Sequence, residues 1–276
     1  MRMLVKQLNP PKKMKIRSLL PKLSLVVFAT LLIPARAQAS SGVVLQPNDF
    51  VGISFWLISM ALIASTAFFF LETQRVSGKW KTSLTVSGLV TLVAAVHYFY
   101  MREVWITTHD TPTVYRYIDW LITVPLLMVE FFLILSAITK VPVGVFWRLL
   151  IGTLVMLVGG YVGEAGYVAV LPAFIVGMLG WAFILFEIFF GEASRINAHK
   201  SPPAVKTAFN LMRLIVTFGW AIYPIGYFVG YLTGMSHEES MKGLNIVYNL
   251  ADVLNKIAFG VIIWAAAVNE TEAHAK

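Results

Sequence analysis

Of 276 residues, 58% are hydrophobic and only 13% charged, a balance that excludes an ordinary soluble domain and points to a polytopic membrane protein. The formal charge of +8 lies largely in the first residues and in short loops, so it reads as a topology signal and requires no nucleic-acid partner. The absence of cysteine removes disulfides, thiolate metal sites and cysteine nucleophiles, and no metal site is expected.

Residues 1–39 read as a leader. Lys6, Lys12, Lys13, Lys15, Arg17 and Lys22 form a basic n-region, and Leu23 to Ile33 is an apolar run too short to span. Ala35-Arg-Ala37 or Ala37-Gln-Ala39 offers a small-residue cleavage site, with an uncleaved anchor as the alternative. Residues 40–276 then form one seven-helix domain. Its apolar segments run near 50–72, 83–105, 113–138, 145–167, 170–191, 207–233 and 243–268, each long enough to cross ~30 Å of hydrocarbon. The fold class is therefore an all-α membrane protein, a seven-transmembrane-helix bundle.

Loop charge orients it. The first, third and fifth loops carry Arg75, Lys79 and Lys81; Lys140; and Arg195, Lys200 and Lys206. Around the second, Arg102 is balanced by Glu103 and Asp110; the fourth has no lysine or arginine; the sixth sets Lys242 against Glu238 and Glu239. The positive-inside rule puts the N-terminus outside and the C-terminus in the cytoplasm, and the leader gives the same answer.

In the second segment, His97 lies at a depth similar to that of Asp119 in the third. A lone intramembrane histidine is usually a satisfied bundle residue, whereas a contact with Asp119 would tune that carboxyl. The third segment reads Val114-Tyr-Arg116-Tyr-Ile-Asp119-Trp-Leu-Ile-Thr123-Val-Pro125-Leu-Leu-Met-Val-Glu130. At about 100° per residue, Arg116, Asp119, Thr123 and Glu130 fall within an arc of about 60°, and Glu130 lies about 16 Å further inward than Asp119. Such a stripe marks a polar path more often than a packing accident. Glu130 alone would also suit a helix end reaching for the interface.

The sixth segment supplies Trp220, Tyr223 and Pro224, which are either ordinary core or, with Trp120, the walls of a slot for a long flat polyene. The seventh carries Lys256 near its middle, with Asp252 one turn earlier on the same face. An ionised lysine at that depth costs about 2.5–3.5 kcal/mol. It is either a structural ion pair or a desolvated amine that forms a Schiff base with an aldehyde, Asp252 serving as counterion.

Arg116-Tyr-Ile-Asp-Trp-Leu-Ile-Thr-Val-Pro-Leu-Leu, Gly219-Trp-Ala-Ile-Tyr-Pro and Asn249-Leu-Ala-Asp-Val-Leu-Asn-Lys closely resemble microbial rhodopsins, specifically proteorhodopsins, and the resemblance runs from Asp49 to Val268. It implies all-trans retinal bound to Lys256 as a protonated Schiff base. It also implies Asp119 as proton acceptor and primary counterion, Asp252 completing the counterion, Arg116 on the release side and Glu130 as cytoplasmic proton donor. Asp119, Thr123 and Glu130 together match outward proton pumps rather than sodium or chloride pumps. The implied function is a light-driven outward proton pump, not an enzyme, in the bacterial inner membrane, with protons and lipid as its partners. A photosensor acting through a partner protein is the alternative, and the carboxyl at Glu130 disfavours it.

Three finer positions follow from the resemblance. Leu127 occupies the spectral-tuning site, where leucine is similar to green-absorbing members. Phe174 falls where carotenoid-antenna members have glycine, which argues against an antenna. Trp56 matches a residue that meets a neighbour's His97, implying a homo-oligomer, a pentamer or hexamer. The chain departs from the family at Glu72-Thr-Gln, where relatives place a charged triplet between subunits.

Overall fold

The computed structural model describes residues 45–233 and 236–275, with His237 and Glu238 described in backbone only. The expected leader at 1–39 lies outside the described residues. Helices α1 (Phe50–Glu72), α2 (Trp80–Thr108), α3 (Thr113–Ile138), α4 (Val143–Glu164) and α5 (Val170–Phe189) follow in order. They are succeeded by α6 (Glu192–Lys200), α7 (Pro203–Leu214), a π-helical turn (Ile215–Gly219), α8 (Ile222–Leu232) and α9 (His237–Ala273). Among the described residues, seven helical stretches are long and apolar enough to cross a membrane, α5 with α6 forming the fifth and α7 through α8 the sixth. The protein is an all-helical, multi-pass membrane protein.

Local chemistry sets several boundaries. Asp49 caps α1, its Oδ1 accepting from Gly52 N at 2.9 Å and from Trp105 Nε1 at 3.1 Å. Prolines precede or open α3, α4 and α7, where a missing N–H costs nothing. The third segment matches its expected bounds, and so does the first; the second and seventh run longer. The fifth loop differs more, because Arg195 and Lys200 lie on the separate helix α6 rather than in a loop.

Consecutive helices pack side by side, and α9 closes the ring by contacting α1, α2, α7 and α8. α4 and α5 approach most closely through small residues. A Cβ at Gly180 would meet Met156 N at 2.5 Å, and one at Gly159 would meet Gly177 N at 2.9 Å. Large apolar side chains such as Leu57, Phe186, Phe190 and Phe218 face outward, as a lipid-facing surface requires.

The sixth span is broken by design of its sequence. Pro224 has no N–H to give Trp220, and Tyr223 N bonds Trp220 O at 3.1 Å instead of Gly219 O. Trp220 N reaches back to Ile215 O at 3.0 Å, the π pattern. The Gly219 carbonyl is thereby released, and it accepts from Asn255 Nδ2 at 3.0 Å. This bond ties the broken helix to the residue beside Lys256.

Candidate functional site

Lys256 is 2% exposed, and its Nζ lies 2.9 Å from Asp119 Oδ2 and 2.9 Å from Asp252 Oδ2. Helix α9 brings Asp252 and Lys256 together one turn apart, and α3 supplies Asp119 across the bundle. Arg116, Asp119, Thr123 and Glu130 are all fully buried, as the stripe on α3 requires.

The two carboxylates are held differently. Asp252 Oδ1 accepts from Tyr223 Oη at 2.7 Å and Trp120 Nε1 at 3.2 Å, and its Oδ2 accepts from Tyr98 Oη at 2.8 Å. Asp119 Oδ1 has no hydrogen-bond partner among the described residues. Three neutral donors favour the charged form of Asp252, whereas Asp119 has only the bond from Lys256 Nζ to its Oδ2. Asp119 is therefore the less strongly held anion of the pair.

Arg116 Nη2 donates to Asn245 Oδ1 at 2.9 Å and to Asn249 Oδ1 at 3.2 Å, and the guanidinium lies 5.3 Å from the Tyr248 ring centroid. Asn245, Asn249, Asp252 and Lys256 share one stripe of α9, a spacing visible in the sequence. Together Arg116, Lys256, Asp119 and Asp252 make a buried cluster of zero net charge, the arrangement that limits the cost of burying four ions.

Thr123 shares the face but not the contact, since its hydroxyl donates to the Asp119 backbone carbonyl at 2.9 Å. His97 Nδ1 lies 3.9 Å from Asp119 Oδ1, beyond hydrogen-bond reach, and bonds Val93 O at 2.9 Å. Because a carbonyl only accepts, Nδ1 carries the proton there. No hydrogen bond joins it to Asp119.

Glu130 is separate from this cluster. Its Oε1 bonds Ser87 Oγ at 2.5 Å, its Oε2 has no partner among the described residues, and Leu127, Met128 and Phe131 surround its turn of α3.

Trp120, Leu127, Trp220, Tyr223, Pro224 and Lys256, the six residues expected at a chromophore, all line one cavity. It encloses about 790 Å³ of space not filled by atoms, part of it open to the outside, between apolar walls. Phe174 lies on the same wall, its ring 5.3 Å from that of Tyr227. Trp56 is 42% exposed, with the Arg102 guanidinium 5.0 Å from its ring centroid.

Residues 49–270 match the family model described as bacteriorhodopsin-like protein. The chain belongs to this family. It is 55% identical over 250 residues to the green-light absorbing proteorhodopsin of Gamma-proteobacterium EBAC31A08, covering 91% of this chain and 98% of that relative. To the blue-light absorbing proteorhodopsin of Gamma-proteobacterium Hot 75m4 it is 53% identical over 250 residues, with the same coverage. The crystal structure of the blue light-absorbing proteorhodopsin from Med12 aligns with a TM-score of 0.70 at 55% identity, over 80% of this chain and 99% of that one. Near-equal identity to green and blue relatives means that overall likeness does not set the colour.

Several residues of the site escaped the sequence reading. Tyr98 and Ser87 lie on α2, apart in sequence from the groups they bond. Asn255 was hidden by its neighbour Lys256. Glu164 reads in sequence as a carboxyl at a helix end, yet it bonds three tyrosines beside the cavity.

Proposed function

We propose that this chain is a light-driven proton pump of the bacterial inner membrane, a transporter rather than an enzyme, that moves protons outward and carries all-trans retinal on Lys256. The observation that carries the reading is Lys256 Nζ at one end of an apolar cavity, 2.9 Å from two buried carboxylates, with a further buried carboxyl at Glu130. The residues fit such a group: an amine sits among aromatic walls, and the glycines Gly160 and Gly177 keep the lining narrow in side chain but open in space. Lys256 Nζ would hold retinal, which would supply light absorption and the isomerisation that sets the Nζ proton moving.

The chain's own residues do the rest. Asp119 Oδ2 takes the Nζ proton, and Asp252 keeps its charge through Tyr98, Tyr223 and Trp120. That transfer annihilates one buried cation and one buried anion, leaving Arg116 balanced by Asp252. The cluster is neutral before and after, so no net charge must be desolvated. Glu130, in its apolar surroundings, holds a proton and returns it to Nζ from the other side, with Ser87 fixing its carboxyl. With the N-terminus outside, Asp119 lies in the outer half and Glu130 in the inner half, which makes the net movement outward. Residues 1–39 act as the leader in this reading.

The assembly is proposed to be a homo-oligomer of five or six subunits. Exposed Trp56 supports it. Phe174 on the cavity wall supports the absence of a carotenoid antenna.

The deciding experiment is expression with retinal and illumination of unbuffered cells with a pH electrode. Uncoupler-sensitive acidification of the medium supports the pump. Pigment without proton export supports a sensor instead. Lys256→Ala is expected to give folded, colourless protein; a visible retinal band that resists hydroxylamine in the dark would overturn the attachment site. Leu127→Gln is expected to shift absorption to the blue, by placing a polar amide on the cavity wall. An unchanged absorption spectrum would remove Leu127 from colour tuning.

A further inference from the structure

At the end of the bundle where α5 stops and α6 begins lies a second cleft, which the transfers described above do not use. Arg148 of α4, Phe186 and Phe190 from the end of α5, and Arg195, His199 and Lys200 of α6 line it. It encloses about 1090 Å³ of space not filled by atoms, part of it open to the outside. Its framework is electrostatic. Arg148 Nε donates to Glu187 Oε2 at 2.8 Å, and Arg148 Nη2 donates to Glu187 Oε1 at 3.2 Å and to Glu192 Oε2 at 2.8 Å. Glu187 Oε1 also accepts from Ala193 N at 3.1 Å, in the first turn of α6. These bonds fasten α6 to α4 and α5, and they engage both carboxylates of the cleft.

The cations of α6 are left over. Arg195 and His199 stand one turn apart, Lys200 follows, and all three are exposed. Among the described residues, neither Arg195 nor Lys200 has an ion-pair partner. With His199 neutral, the cleft still sets Arg148, Arg195 and Lys200 against only Glu187 and Glu192. Beside these cations the surface turns apolar. Phe186 is 59% exposed and Phe190 68%, and exposed Phe183 and Leu179 continue the same face of α5. That stripe runs about 16 Å from the cleft toward the middle of the membrane.

A phosphate joined to an acyl chain uses both halves of this surface at once. We propose that the cleft binds one anionic phospholipid, its phosphate held by Arg195 and Lys200 and an acyl chain laid along the stripe from Phe190 to Leu179. Arginine offers paired N–H donors to phosphate oxygens, and lysine adds a compact charge. A soluble anion would leave the apolar stripe unused, and a neutral lipid would leave the cations without a counter-charge. In the orientation proposed above the leaflet is the inner one, where basic pockets between spans attract anionic headgroups. The site itself does not depend on pumping. Basic residues that served only to orient the chain would need no cleft and would prefer no lipid over its neighbours.

The test is native mass spectrometry of the full chain in detergent, titrated with phosphatidylglycerol and, separately, with phosphatidylcholine of the same acyl chains. The anionic lipid is expected to bind roughly 25-fold more tightly. Arg195→Gln combined with Lys200→Gln is expected to remove that preference, at roughly fivefold for each cation. Lys81→Gln combined with Lys140→Gln takes two exposed cations from the same end of the bundle and is expected to keep it. Equal binding of the two lipids by the wild type, or an equal loss in both double variants, overturns the proposal. Inorganic phosphate at the lipid's concentration is expected to leave the lipid bound; displacement would assign the cleft to a soluble anion and overturn it too. Each variant's fold is checked by its melting transition. If the Arg195 and Lys200 double variant does not fold, Lys200→Gln alone serves: a loss of roughly fivefold supports the site, and wild-type affinity overturns it. Proton export is not read in this experiment, so failure of the lipid site leaves the pump reading standing, and the reverse.

Discussion

Asp119→Asn is expected to abolish outward proton movement while leaving a coloured, folded protein. The amide keeps the shape of the side chain and its place 2.9 Å from Lys256 Nζ, but it has no basic oxygen to receive the proton. Asp252 is a poor substitute acceptor, because Tyr98, Tyr223 and Trp120 already donate to it. The variant also leaves the buried cluster with two cations and one anion, so the cation at Lys256 loses ground-state stabilisation and the pigment shifts to the red. Acid is expected to do the same to the wild type, since protonation of Asp119 removes the same charge. The measurement is an absorption titration of wild type beside the variant, with a pH electrode on illuminated vesicles. The wild type turns red in acid, and the variant is red at every pH. Light-driven export surviving in the variant would remove Asp119 from the acceptor role.

The parts of this site that could be read in advance are those that obey one helix's period. Arg116, Asp119, Thr123 and Glu130 repeat on a single face of α3, and Asp252 and Lys256 on a single face of α9, so their burial follows from spacing alone. Contacts between helices were less legible. Ser87 meets Glu130 across 43 residues, and Glu164 gathers tyrosines that are 47, 67 and 84 residues away. Those pairings depend on how neighbouring helices rotate against one another, which no single period encodes. Thr123 illustrates a finer limit, since its face was correct and its hydroxyl nevertheless turned to its own helix backbone. The π-helical turn at Ile215–Gly219 was invisible for another reason. Its apolar residues continue a helical pattern, and only Pro224 with the Asn255 bond reveals why the ladder shifts. Glu164 combined both difficulties: a carboxyl at the end of an apolar run looks like an interface residue until its partners are known.

In the proposed pump, Glu130→Gln separates the return of a proton to Lys256 Nζ from its departure. Glu130 Oε1 is fixed by Ser87, and its surroundings of Leu127, Met128 and Phe131 offer no compensating charge, so the carboxyl is suited to hold a proton until Lys256 Nζ needs one. Glutamine preserves the volume and the bond to Ser87 but has no transferable acidic proton. The return of a proton to Nζ must then draw on bulk water. That step is expected to slow on the order of 10²-fold, in line with losing a positioned acid, and to become first order in proton concentration. Departure of the Nζ proton should be nearly unaffected, because it uses Asp119, about 16 Å away along α3. Added azide, a small diffusible acid–base carrier, should restore much of the lost rate by entering where Glu130 acted. Flash spectroscopy across a pH series makes the comparison. If the return of the proton keeps its wild-type rate and pH dependence in the variant, Glu130 does not supply it. The inner supply then has to be sought in another group, and the sensor reading, which needs no fast internal donor, gains ground.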